Sequence, residues 1–430
     1  MSASTSRPGT GSRNADFASP LTIPGGEMAG TEIVRELPPE LALTVWQTLR
    51  SVLLWAAEHP AHRGGLFEPS AMEQWELELL EGTFDPDLRF PLAVIVGELA
   101  DAARATPQAL ARACLCVTEW GLAHNAVRTA LGFTEAAALC WPDHPRYAWM
   151  AGRLLRAHGH LREAELWIKR SVRVAGSMGD WEAQTLGLNS LGNVFAESGN
   201  YRKALHTHAQ SLRLARKHRL REREGEVLHD LFVASAHMDD LDSAESYARG
   251  ALEIYRSGHA RLLPLAHDLA VLWIQRGQFD RALPVLLALV DHFTDPADRL
   301  FILASAGWAS GVCGEEAHFQ RLSNEAVELS EQHPAGRSVA RALYELGLGA
   351  WHLERWESAE ALLFRAETVA RTRGEADVIV LAESVLSAVR SRQPANPAKV
   401  EVARASAGHQ SLAGRFVAKL RGAAVLTEAR

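Results

Sequence analysis

The chain has 430 residues, 47% apolar and 23% charged, with a formal net charge of -7. That apolar share excludes disorder along the whole length, and no run of about 18 uninterrupted apolar residues is present to span a bilayer. Four cysteines (Cys114, Cys116, Cys140 and Cys313) are too few for a disulfide framework, and residues 1–31 lack a basic-then-apolar leader, so a reducing, cytoplasmic setting is expected.

In chain order, residues 1–31 are rich in Ser, Gly, Thr and Pro and are expected to be disordered. Residues 32–105 read as an N-terminal helical module. Its helices run over Leu41 to Glu58, Ala71 to Leu80 and Phe90 to Ala105, and Val45, Leu49, Leu53 and Leu54 form a core stripe on the first. Charge is unevenly spread: residues 27–104 carry 14 acidic and 5 basic side chains, residues 146–224 carry 7 acidic and 15 basic. A basic middle fits an anionic partner, docking onto the acidic region, or plain solvated helix faces. Nucleic acid is not favoured, because no groove-entering motif and no overall basic domain are visible.

Residues 106–391 repeat. In the clearest unit, Leu188, Leu191, Gly192 and Phe195 stand at i, i+3, i+4 and i+7, one stripe of a helix, and Gly199-Asn200 breaks it at a turn. Tyr201, Ala204, Ser211 and Leu212 then start a second stripe facing back, which makes a helical hairpin. Small Gly192 and Ala204 are expected where the two backbones approach closely. The alanine recurs at Ala126, Ala164, Ala204, Ala244, Ala282 and Ala359, in steps of 38, 40, 40, 38 and 77. The last step is two units long, and the skipped unit lies around Phe319. Leu161, Tyr201, Leu241, Phe279 and Trp356 each stand three before their alanine.

These marks resemble the tetratricopeptide repeat (TPR) family, over about Thr106 to Arg373. The resemblance implies an all-α fold: a right-handed α-solenoid of about seven hairpins, whose concave side is lined by first helices. The period of 38 to 40 exceeds the usual 34, and Phe232 and His208 occupy slots where the motif has glycine and an apolar residue. Ala376 to Arg390 reads as a C-terminal capping helix. Residues 392–430 read as a linker and flexible tail, in which Leu412, Phe416 and Leu420 offer only a weak amphipathic helix between Ser411 and Val425.

No phosphate-cradling, dinucleotide, nucleophile-elbow or zinc-protease motif is present, so no enzyme, cofactor or metal is expected. His206 and His208 lie about 200° apart on a helix, as do Cys114 and Cys116, which prevents either pair from sharing one ion or acting as a local redox pair. Groove residues are therefore the candidates. If first helices line the inside, as the resemblance implies, these are Arg146, Trp149, Arg153 and Arg156, then Asn189, Asn193 and Glu197. His229, His267, Gln275, Tyr344, Trp351 and His352 follow. In TPR grooves, asparagines at the places of Asn189 and Asn193 bond an extended peptide backbone, and arginines hold its carboxylates. The same asparagines could instead solvate a helix face or bridge neighbouring units, and the tryptophans could be packing. The resulting expectation is a non-enzymatic protein- or peptide-binding scaffold whose concave, partly basic groove suits an acidic partner. The alternative is a peptide-responsive regulator with the N-terminal module as its output domain.

Overall fold

Proline or a small polar residue starts about half of the described helices, and left-handed residues separate paired ones. The computed structural model describes residues 32–334, 336, 338–395 and 407–428, without the side chains of 407–411 and 423–428. The disorder expected for residues 1–31 therefore lies outside the described residues. Among the described residues all regular structure is helical. The chain divides into two units, Met1–Arg223 and Glu224–Arg430, taken separately below.

The first unit begins with α1 (Ile33–Glu36), α2 (Pro39–Ala57), a 3-10 turn (Pro60–Gly65), α3 (Pro69–Glu81) and α4 (Pro86–Ala100). It continues with α5 (Pro107–Ala123), α6 (Val127–Cys140), α7 (Pro145–Ala157), α8 (Leu161–Met178), α9 (Trp181–Glu197) and α10 (Tyr201–Lys217). Proline opens α2, α3, α4, α5 and α7, where its missing N–H costs nothing. Asp180 and Asn200 cap α9 and α10 by accepting the N–H groups of Ala183 and Lys203 at 3.0 and 3.1 Å. α4 starts four residues before the expected Phe90, because Asp85 caps it, and it continues through Pro91 in its interior.

Helices α5 with α6, α7 with α8 and α9 with α10 pair as antiparallel hairpins, and α8 also packs on α9. A left-handed residue sits two positions before each second helix: Asn125 before α6, Gly159 before α8 and Gly199 before α10. Ala164 and Ala204, the fourth residues of α8 and α10, are fully buried. At the first hairpin the phase differs from the sequence reading. The fourth residue of α6 is Ala130, also fully buried, whereas Ala126 precedes the helix. From Ala130 to Ala164 is 34 positions, the length usual for the repeat that the sequence resembles. Gly152 and Gly192 let the paired helices close: a methyl group on Gly152 would fall 3.1 Å from the carbonyl of Ala164, and one on Gly192 would fall 2.5 Å from Nδ1 of His208.

The N-terminal helices share this core, which runs unbroken from Ile33 to Ala204. The Glu36 carboxylate accepts the N–H groups of Arg128 and Thr129 at 2.7 and 2.8 Å, capping α6. The indole of Trp55 donates to the carbonyl of Ala102 at 2.8 Å, and the guanidinium of Arg63 lies 3.7 Å from its ring.

The second unit takes in α11 (Arg221–His237) from Glu224 onward, then α12 (Leu241–Ile254), α13 (Leu262–Gln275), α14 (Phe279–Leu289) and a 3-10 turn (Val290–His292). It ends with α15 (Pro296–Val312), α16 (Glu316–Gln332), α17 (Val339–His352), α18 (Trp356–Arg373), α19 (Ala376–Arg390) and α20 (Ala407–Glu428). Asp239, Gly277, Gly314 and Glu354 supply the left-handed residue two before α12, α14, α16 and α18. Ala244, Ala282 and Ala359 are buried fourth residues, as the spacing predicts. In the skipped unit the fourth residue of α16 is Phe319, which is buried too. Room for its ring comes from glycine: a methyl on Gly349 would fall 2.9 Å from Cε2 of Phe319 and 3.0 Å from the carbonyl of Gly307. Gly311 lies directly against the backbone of Gly349, so α15 packs along α17.

α19 packs on α18 and α17 and matches the expected Ala376 to Arg390. The tail departs from its expectation. α20 docks on α14, with Leu412, Phe416 and Leu420 buried, because its three apolar residues at i, i+4 and i+8 find a seat that no local pattern could reveal.

Candidate functional site

First helices carry the polar residues singled out in the sequence, and side chains one repeat apart bridge them. In the first unit the indole of Trp149 donates to Oγ of Ser190 at 2.8 Å, Arg156 pairs with Glu197, and Arg223 pairs with Glu182 at 3.3 Å. In the second, Nε2 of His229 donates to Oδ2 of Asp268 at 3.0 Å and Oγ of Ser305 donates to Oε2 of Glu345 at 2.8 Å. These pairs are 39 to 41 residues apart. Residues in one register of consecutive first helices therefore hold neighbouring hairpins together.

The candidates of the first unit divide accordingly. Arg146 and Arg153 are exposed on α7, and the guanidinium of Arg153 lies 5.2 Å from the ring of Trp149. Trp149 and Arg156 are half-buried in bridges to α9. Asn189 is buried, and its Oδ1 lies 2.8 Å from Nδ1 of His208 in α10, so the amide is turned into the hairpin. That bond also explains a histidine in an apolar slot, since a buried imidazole needs a polar partner. Asn193 is half-buried on α9.

In the second unit α11, α13 and α15 enclose an open cleft of about 250 Å³. Its apolar lining is Phe232, Val233 and Ala236 of α11, Val271 and Leu272 of α13, and Phe301 of α15, and its polar lining is His237, His267, Asp268 and Gln275. Two sequence candidates, His267 and Gln275, thus meet in one place, and a third, His229, holds Asp268 from behind. Asp268 is flanked by both imidazoles, with Nδ1 of His267 3.5 Å from Oδ1. Desolvation pushes its carboxyl up, but hydrogen bonds from His229 and His267 outweigh that and hold it at about 2. The His267 ring meets Phe301 edge-on at 5.2 Å. Asp268 and Phe301 were not singled out in the sequence. Asp268 was legible only as the residue one repeat beyond His229.

Tyr344 and Trp351 lie apart from the cleft lining. Tyr344 is buried, 5.5 Å from the guanidinium of Arg341, and burial raises its phenol. Beside it Glu345 is buried, accepting from Oγ of Ser305 and, at 3.0 Å, from Nε of Arg341; burial raises its carboxyl against those two partners. The indole of Trp351 donates to the carbonyl of Gln393 at 2.9 Å, beyond α19. Burial lowers the imidazole of neighbouring His352.

Cys114 is buried and Cys116 exposed, and likewise His208 is buried and His206 exposed, as opposite helix faces require. Among the described residues no three His, Cys, Asp or Glu side chains converge as metal ligands, and no helix is long and apolar enough to cross a membrane.

No protein-family model matches the chain, and no curated protein matches it either. Solved structures do resemble it. One is a signal transduction ATPase with numerous domains, carrying a tetratricopeptide repeat sensor, from Pyrococcus horikoshii: TM-score 0.53, 12% identity, covering 91% of this chain and 67% of that one. Another is the apo form of the quorum sensor NprR from B. thuringiensis: TM-score 0.51, 11% identity, covering 89% of this chain and 99% of that one. At such identities the likeness concerns the fold alone, and with the paired helices described above it shows an all-α helical repeat of TPR-like architecture.

Proposed function

We propose that this chain is a non-catalytic binding protein that holds an extended protein or peptide segment against its first helices. The carrying observation is the cleft between α11 and α13. Its lining is largely apolar, and its polar groups include the Gln275 amide, His267 and an ionised Asp268 flanked by two histidines. At about 250 Å³ it is smaller than the roughly 300–1,000 Å³ of clefts that enclose cofactors and drug-sized ligands. A single apolar side chain of a peptide fits that size, with the amide of Gln275 placed to bond the adjoining peptide unit. Separately, Arg146 and Arg153 are exposed on α7 in the first unit, a basic surface that suits acidic residues.

Selection from a random peptide display library on the full chain tests this reading. Enriched peptides should share an apolar residue, and their affinity should fall by about tenfold, roughly 1.4 kcal/mol, when Gln275 or His267 is replaced by alanine. Failure to enrich any sequence, or peptides indifferent to both substitutions, rejects the cleft as the binding site.

A further inference from the structure

The last described helix, α20, packs on α14 and α13. Leu412, Phe416 and Leu420 are each 1% exposed or less. The other side of α20 reaches α12. Nζ of Lys419 donates to the backbone carbonyls of Leu252 and Tyr255, at the end of α12 where carbonyls lack helical partners. Nη2 of Arg415 lies 3.4 Å from Oε1 of Glu253. α20 therefore joins α12 to α14, the second helices of two consecutive hairpins.

Their first helices are α11 and α13, the two principal walls of the cleft. A run of contacts leads from one side to the other. Tyr255, whose carbonyl Lys419 holds, has its ring edge-on to His229 at 6.5 Å, and His229 donates to Asp268 in the cleft. α12 is keyed to α11 by close packing: methyl groups on Gly225 and Gly250 would meet Tyr255 at 2.8 Å and Leu228 at 3.2 Å. α12 and α13 touch each other only lightly by comparison with α13 and α14. The junction between the two hairpins is held by the His229–Asp268 bond, by Arg261 on Asp230 and on the carbonyl of Glu226, by Glu245 of α12 accepting from Trp273 and pairing with Arg281, and at the periphery by α20.

We propose that α20 is a releasable strap: docked, it fixes the spacing of α11 and α13, and its release loosens the cleft and changes what the cleft accepts. This rests on reading the cleft as a binding site. A peripheral helix seated through Leu412, Ala413, Phe416 and Leu420, with Lys419 and Arg415 at its flank, is of the kind that opens before a core does.

The test uses the full-length chain without ligand. A Cβ at residue 422 would lie 3.9 Å from Cβ of Ser257, within the range of about 3.5–4.5 Å that a disulfide needs. Hydrogen exchange is compared in Phe416→Asp, and in the Ser257→Cys/Gly422→Cys pair oxidised and reduced. Phe416→Asp should speed exchange by about tenfold or more, in α20 and also in α11 and the segment from Tyr255 to Asp268. The oxidised pair should form an intrachain disulfide and slow the same segments relative to its reduced form. Faster exchange confined to α20 overturns the proposal, and so does a disulfide joining two chains, which would seat α20 on a second copy. Should Phe416→Asp fail to fold, the oxidised and reduced pair carries the test, and equal exchange in α11 and α13 overturns it. A selected peptide bound equally by both redox forms would leave the cleft a binding site and remove the strap.

Discussion

Nδ1 of His208 in α10 lies 2.8 Å from Oδ1 of Asn189 in α9, and the same ring fills the space that a side chain at Gly192 would need. Glycine, histidine and asparagine form one interlocked set inside a single hairpin. Gly192→Ala should therefore cost about 1–3 kcal/mol through overpacking. Adding His208→Ala should return part of that loss, because the methyl then has room. Urea denaturation of the two single variants and the double variant measures the coupling. Strictly additive losses would show that ring and methyl do not compete.

Ala204 is fully buried at the fourth position of α10. Ala204→Leu should cost about 1–3 kcal/mol by forcing α9 and α10 apart. A thermal midpoint equal to that of the unaltered chain would contradict the assigned packing.

Arg153 and Arg156 look alike in sequence and differ in structure. Arg153 is exposed, so Arg153→Glu should leave stability within about 0.5 kcal/mol while weakening an acidic peptide by about tenfold. Arg156 is committed to Glu197, and Arg156→Glu should lose more than the roughly 0.2–1 kcal/mol of a partly exposed pair, because a second carboxylate would then face Glu197. Calorimetric titration beside urea denaturation separates the two effects. Equal behaviour of both variants in both measurements would contradict the division.

The contribution of Glu135 to stability should fall as pH rises from 4.5 towards 7. Burial raises the Glu135 carboxyl from 4.5 to about 7, against the lowering effect of the Trp167 indole, which donates to it at 2.8 Å. The folded chain therefore binds a proton that the unfolded chain has released in this window, and stability there declines with pH by about 3 kcal/mol at most. Glu135→Gln should be more stable than the unaltered chain at pH 8 and nearly equal to it at pH 4. Denaturation curves at pH 4, 6 and 8 decide, and an unchanged slope with pH would mean that Glu135 titrates as an exposed carboxylate.

Much of the fold was legible because its determinants are local. The first residues Leu161, Tyr201, Leu241, Phe279 and Trp356, the buried alanines behind them and the turn before them recur within a few positions of one another, and each states its own helix start. Where a rule depends on a distant partner, the sequence reading slips. Ala126 took the place of Ala130 because both are alanines near a turn, and the cap on α6 comes from Glu36, 92 residues away. The unit around Phe319 looked degenerate because the glycine that accommodates the ring, Gly349, belongs to another hairpin.

The candidate site followed the same division. Periodicity placed His229, His267 and Gln275 on first helices, but it could not say that Asn189 turns inward to His208 or that Asp268 stands between two imidazoles. Helical spacing defines a face to within a fraction of a turn, whereas a hydrogen bond is made or lost within an ångström.

By itself the sequence determined that the chain is built of paired helices in series, since hydrophobic spacing and turn chemistry act over a few residues and need no partner. The tertiary structure alone decided which polar groups face each other across hairpins, how α15 and α17 approach through glycine, and that α20 returns to α12 and α14. Those outcomes depend on contacts between segments 30 to 170 residues apart, whose geometry is fixed only when every intervening helix has packed.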